Sequence, residues 1–192
     1  MAKDQVKKVE MLVIGGSAGS LDVLLKLLPV LPEGLPFPIV VVLHRKHSTD
    51  SALAELFSSR TVVPVKEIED KESSLPGHIY LVPGDYHILF ESSGTFSLDV
   101  SEKVNFSRPS IDVAFESAAE VYGASLCCLL LSGSNADGVE GLKAVKERGG
   151  MTLVQDPDTA EIPYMPQQAI LQIPSVRVVA PDRLAGFIEE IR

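Results

Sequence analysis

Five stretches of the chain are almost continuously apolar. Residues 10–16 carry Met-Leu-Val-Ile and end in Gly-Gly, residues 38–44 carry Ile-Val-Val-Val-Leu, and residues 125–133 carry Leu-Cys-Cys-Leu-Leu-Leu. Residues 151–155 and 176–180 are shorter versions. Runs that do not alternate with polar residues suit parallel strands covered on both faces. Between them, helical spacing recurs at residues 21–28, 50–59, 110–122, 139–148 and 182–192. In the third of these Ile111, Phe115, Ala118 and Ala119 share one face; in the fourth Leu142 and Val145 do, before Gly149-Gly150 stops the helix. Strands alternating with helices predict an α/β fold, doubly wound, with a mostly parallel sheet and helices on both faces. The rhythm breaks over residues 77–100. Short strand-like pieces at 78–82, 87–90 and 96–100 are separated by Pro83-Gly84-Asp85 and Ser92-Ser93-Gly94, which predicts an inserted β-hairpin or meander. The Pro-rich residues 29–38 read as a helix-to-strand connection.

Length and composition agree with this picture. With 192 residues, 45% of them hydrophobic and 22% charged, residues 1–192 are expected to form a single globular domain. A net charge of −9 argues against nucleic acid and anionic membrane surfaces as partners, because both demand clustered Lys and Arg. Cys127 and Cys128 are adjacent within an apolar run, which suits a buried structural role and leaves no zinc-type ligand set. No metal or cofactor is implied. The first ten residues lack a signal-peptide core, and no apolar stretch is long enough for membrane insertion, so a cytoplasmic location is expected.

Candidate chemistry begins where the first apolar run ends. Gly15-Gly16-Ser17-Ala18-Gly19 matches the G-x-S-x-G pattern of a nucleophile turn between strand and helix. Small neighbours allow a sharp bend that exposes the hydroxyl, and a following helix N-terminus favours a developing oxyanion. The rival reading is a phosphate-binding or merely closing turn, but neither G-x-G-x-x-G nor Gly-Lys-Ser/Thr is present there.

A serine hydroxyl needs a general base at neutral pH. Of the four histidines, His44 ends the strongest strand run and should emerge at the same sheet edge as Ser17. His47 reads as a helix-start or surface residue, while His78 and His87 fall in the inserted β-region. The third run ends in Ser132-Gly133-Ser134-Asn135-Ala136-Asp137-Gly138, which puts Asp137 at that edge as well. Its rival role is a cap on the following helix. Three strand ends offering Ser, His and Asp on one rim favour a triad; Asp112 and Asp156 are the other carboxylates to consider.

At these residues the sequence resembles the CheB-type protein-glutamate methylesterases. The family's Gly-Ala-Ser-Thr-Gly-Gly turn stands here as Gly15-Gly16-Ser17-Ala18-Gly19-Ser20, and its Gln-His-Met-Pro as Leu43-His44-Arg45-Lys46. Its Arg-Pro-Ser-Val-Asp-x-x-Phe block stands as Arg108-Pro109-Ser110-Ile111-Asp112-Val113-Ala114-Phe115. Its Leu-Thr-Gly-Met-Gly-x-Asp-Gly stands as Leu131-Ser132-Gly133-Ser134-Asn135-Ala136-Asp137-Gly138, and Gln155-Asp156 and Met165-Pro166 complete six ordered blocks. The resemblance implies Ser17 as nucleophile, His44 as base and Asp137 as its orienting carboxylate. It implies oxyanion or substrate contacts at Ala18, Ser134 and Asn135, with the backbone N–H of Ser134 as a donor that survives the side-chain change. Arg45 and Lys46 replace an apolar pair and are expected to draw acidic segments of the substrate toward His44. The implied reaction is hydrolysis of glutamyl methyl esters on methyl-accepting chemoreceptors with release of methanol, together with deamidation of glutamine. The family usually carries an N-terminal receiver domain; none is expected here. Two other readings stand beside this one: an esterase of different substrate specificity, and a non-catalytic interaction module on the same scaffold.

Overall fold

A computed structural model describes residues 8–45 and 51–192. The first half of the chain runs β1 (Met11–Gly16), α1 (Ser20–Leu27), β2 (Ile39–Leu43), α2 (Ala52–Ser58), β3 (Val65–Glu67), β4 (Ile79–Leu81), β5 (His87–Phe90) and β6 (Phe96–Asp99). The second half runs α3 (Ile111–Tyr122), β7 (Leu126–Leu130), α4 (Val139–Glu147), β8 (Met151–Gln155), α5 (Tyr164–Gln172), β9 (Arg177–Val179) and α6 (Leu184–Ile191). Among the described residues seven strands form one sheet in the order β3-β4-β2-β1-β7-β8-β9, every neighbouring pair parallel. The pair β5–β6 stands apart as an antiparallel hairpin.

The apolar runs are continuous because both sheet faces are covered. In β1, Leu12 and Ile14 belong to one core layer with Leu24, Leu27, Phe57 and Phe187, whereas Met11 and Val13 belong to the other with Ile111, Phe115, Leu142 and Met165. Each such Leu, Ile or Phe contributes about 1.5–3 kcal/mol by leaving water. The doubly wound sheet with helices on both faces is therefore as expected. Three details differ. Residues 78–82 are not part of the inserted hairpin: β4 sits inside the main sheet between β2 and β3. The short strand β3 and the helix α5 have no counterpart in the sequence reading. The expected strand over residues 125–133 stops at Leu130, which frees residues 131–138 to form the loop that carries Asp137. The expected helix start at Asp50 lies outside the described residues.

β1 is the pivot. The chain winds from β1 to β2 on one side and later returns to place β7 on the other. In an open α/β sheet this reversal opens a crevice beyond the carboxyl ends of the strands, and Ser17, His44 and residues 131–138 all follow those ends directly.

Candidate active site

Small residues make the turn after β1. A side chain at Gly15 would begin 2.4 Å from Ile111 Cγ2, and one at Gly16 would begin 2.6 Å from Ser20 Cβ, so neither position has room for a Cβ. Gly19 precedes α1 in the left-handed region at φ 82°, which glycine reaches without strain. The turn is braced by the Ser20 hydroxyl and amide, both donating to the Ser17 carbonyl (2.5 and 3.1 Å). The Ser17 amide donates to Ser132 O after β7 (2.9 Å), and the His44 amide after β2 donates to Gly16 O (3.1 Å). Ser17 thus sits between the ends of β2 and β7, half-buried, its hydroxyl without a hydrogen-bond partner among the described residues.

His44 meets Asp137 through Nε2, 2.6 Å from Oδ2. Asp137 is fully buried. It does not cap the helix that follows it: Gly138, at φ 98°, holds that place without any side-chain hydrogen bond. Its carboxylate instead receives the N-terminus of α3. Ile111 N donates to Oδ2 (2.6 Å) and Asp112 N to Oδ1 (3.1 Å), joined by the Ser110 hydroxyl (2.8 Å) and Asn105 Nδ2 (2.9 Å). Burial pushes the Asp137 carboxyl up, but the donors from His44, Asn105, Ile111 and Asp112 outweigh it and hold the group down at about 2. Asp137 is therefore an anion, oriented by fixed amides and facing one titratable partner.

Asp112 returns the favour. Its Oδ1 accepts from Gly138 N (2.8 Å) and Gly141 N (2.7 Å) at the start of α4, and Asn105 Nδ2 donates to its Oδ2 (2.8 Å). Burial, with the Asp137 charge adding to it against these donors, raises the Asp112 carboxyl to about 6. Behind them, buried His87 accepts from Ser110 N at Nδ1 (3.1 Å) and donates from Nε2 to Glu102 O (2.9 Å), an arrangement that fixes one neutral tautomer. Sequence reasoning did not assign roles to Asn105, Ser110 or His87. The Arg-Pro-Ser-Ile-Asp block was the only signal for Ser110; Asn105 and His87 lie outside it and had none.

The wall opposite His44 is made by residues 132–135. A Cβ on Gly133 would lie 3.0 Å from Ser17 Cβ and 2.5 Å from Met165 Cε, which places this backbone directly against the serine. The loop is tied to the start of α5 by Gly133 N to Ile162 O (3.1 Å) and Met165 N to Gly133 O (3.0 Å). The Ser132 hydroxyl donates to Ala18 O (2.7 Å), locking the two loops together. Ala18 and Ser134 are exposed, and neither amide donates a hydrogen bond among the described residues. Asn135 is drawn into the turn itself, its Oδ1 accepting from Asp137 N (3.0 Å). Arg45 is not a loose rim charge: Nη2 reaches Glu67 Oε2 (2.7 Å) and Val82 O (3.0 Å), stitching β2 to β3 and β4. Lys46 and His47 lie outside the described residues. A cleft of about 510 Å³ opens over His44, bounded by Arg45, Asp85, Lys103, Phe106 and Arg108. A second of about 410 Å³ adjoins Asp137 and Asn135, and Phe106 is common to both.

The class is that of hydrolases built on an open parallel sheet. The chain belongs to the CheB methylesterase family, whose model matches residues 12–188. The crystal structure of the Thermotoga maritima CheB methylesterase catalytic domain superposes with a TM-score of 0.91 at 33% identity, covering 96% of this chain and 99% of that one. A Leptospira interrogans protein, named provisionally for the same activity, is 46% identical over 161 residues, which is 84% of this chain and 83% of its own length. A protein-glutamate methylesterase/protein-glutamine glutaminase of Carboxydothermus hydrogenoformans is 37% identical over 187 residues, 95% of this chain. The match covers 54% of that relative, so the chain spans about half of its length.

Proposed function

We propose that this chain hydrolyses glutamyl methyl esters on methyl-accepting chemoreceptors from the cytoplasmic side, and deamidates glutamine at such sites. The carrying observation is the 2.6 Å contact between His44 Nε2 and the buried, amide-capped Asp137, on the strand end next to Ser17. With Nε2 held by Asp137, Nδ1 is the ring nitrogen left to serve the serine, the reverse of the ring assignment in chymotrypsin. Ser17 Oγ attacks the ester carbonyl while His44 takes its proton. The oxyanion is met by the amides of Ala18, just before α1, and Ser134, in the loop after β7, neither of which donates a hydrogen bond among the described residues. His44 then protonates the departing methoxide, and methanol leaves. Water, deprotonated by the same imidazole, attacks the acyl-serine and restores Ser17 with a free glutamate. With an amide substrate the leaving group is ammonia. Asp137 stabilises the imidazolium in both halves.

In this reading Ser17→Ala removes the nucleophile and nothing structural, since its hydroxyl makes no hydrogen bond among the described residues. The expected result is a loss of about 10⁶ in turnover with an unchanged melting temperature. A serine-directed phosphonate should label wild type at Ser17 alone. Methanol release from the alanine variant near the wild-type rate would remove Ser17 from the mechanism. Hydrolysis of small esters with no release from methylated receptor would move the chain to an esterase of other specificity.

A further inference from the structure

Phe106, a large apolar side chain at the mouth of the site, is 99% exposed. Its backbone is also costly. Asn105 and Phe106 have φ of 51° and 63°, and are the central pair of a two-residue turn closed by Val104 N to Ser107 O (3.1 Å) and Ser107 N to Val104 O (2.9 Å). Two positive φ values mark a type I′ turn, whose second central position suits glycine best; a phenylalanine held there carries strain that the surroundings must sustain. They do. Asn105 Nδ2 is bonded to both Asp137 and Asp112, and Arg108 Nη1 grips Val100 O (2.9 Å) and Ser101 O (2.8 Å) at the base of the loop. An apolar ring is thus displayed in water on a rigid tip that hangs from the carboxylate partner of His44 and forms the shared wall of the two clefts. Lys103, three residues away and exposed on the same wall, makes no ion pair among the described residues.

We propose that Phe106 and Lys103 form the docking ridge for the protein substrate, and that its occupant is an acidic protein segment. This rests on the proposed function, because the substrate it assigns is a glutamate-bearing protein segment whose ester becomes a carboxylate on hydrolysis. The ring covers the apolar stem of the scissile side chain and its neighbours. The ammonium meets a flanking carboxylate, in a chain whose net charge of −9 would by itself repel acidic partners. The rigid turn keeps the entropic cost of ordering the ridge low.

The test compares kcat/KM on methylated chemoreceptor with that on p-nitrophenyl acetate. Phe106→Gly produces the Asn-Gly pair that type I′ turns favour, and Phe106→Asn also tolerates positive φ, so both should fold as wild type does. Both are expected to lose about tenfold more on receptor than on the small ester, through KM, the size expected for one buried aromatic anchor. Lys103→Glu is expected to lose affinity for receptor by a factor that shrinks as salt is added. If wild type demethylates receptor and the ring variants keep the wild-type ratio between substrates, the ridge is overturned and the proposed function stands. If wild type cleaves the small ester but releases no methanol from receptor, the proposed function fails and takes the ridge with it.

Discussion

Asp137 shows how a single residue can answer two demands. Its sequence position, just before a helix, suggests a cap, and Asn is an equally good cap. On that view Asp137→Asn would be structurally silent. The geometry makes it otherwise. An asparagine can keep its oxygen toward Ser110, Asp112 N and Asn105, but its amide group then faces Ile111 N–H and His44 Nε2. Ile111 N–H becomes a buried donor without an acceptor, at a cost of about 1–3 kcal/mol. The new amide donates to Nε2 and so places the imidazole proton on Nδ1, the nitrogen that must receive the proton of Ser17. Turnover should fall by about 10⁴, as expected when the tautomer is wrong. A thermal melt and methanol release on the same preparation check both halves. A variant with a tenth or more of wild-type turnover would show that His44 is oriented by something else.

At the scale of elements, α3 and α4 cap one another: Asp137 before α4 receives the start of α3, and Asp112 in the first turn of α3 receives the start of α4. The two carboxylates are displaced in opposite directions, which gives stability a pH signature. Asp137 is held at about 2, below its ordinary 3.8, so its contribution is present above 3.8 and lost as pH falls toward 2. Asp112 is raised from 3.8 to about 6, so the native state holds its proton more tightly and its contribution is lost as pH rises from about 4 to 6. Asp112→Asn keeps an oxygen for Gly138 and Gly141 and removes the titration. The melting temperature of wild type minus that of this variant should therefore fall between pH 4 and 6 and level off above. A difference that is flat across this range would mean that Asp112 does not titrate there. The reciprocal arrangement is also where the sequence reading ran out. The runs that became β1, β2 and β7 are long, unbroken and buried on both faces, and their ends alone brought Ser17, His44 and Asp137 to one rim. β4 has only three residues, Ile79–Leu81, beside turn-forming Pro83-Gly84. Nothing local distinguishes a short buried strand of the main sheet from a hairpin arm. α5 carries Pro166 in its first turn, a tolerated place for proline that breaks the apparent periodicity. Asn105 was invisible because its role depends on a positive φ and on bridging two carboxylates, one of which, Asp137, is 32 residues away.

Across the whole molecule, the strand between the site and the far half of the sheet supplies a reporter of its integrity. Cys127 and Cys128 lie in β7 and are fully buried, facing opposite core layers. They pair with Leu12 and Val13 of β1 on one side and with Met151 and Thr152 of β8 on the other. Burial raises the Cys127 thiol to about 12 and the Cys128 thiol well above its usual value, so neither supplies a thiolate at neutral pH. A reagent can reach them only if β7 leaves both neighbours and both core layers open, which amounts to unfolding the sheet that aligns Ser17, His44 and Asp137. A thiol-specific reagent in excess should therefore neither label nor inhibit the native protein. In urea, labelling should rise with the same midpoint as the loss of far-ultraviolet circular dichroism and of ester hydrolysis. Rapid labelling in buffer with activity retained would mean that β7 opens locally while the site persists. Rapid labelling with inhibition would place a cysteine within reach of the reaction and count against a serine nucleophile. Coincident transitions would tie the integrity of the candidate site to cooperative unfolding of the sheet, because each of its three residues is held by a different strand end.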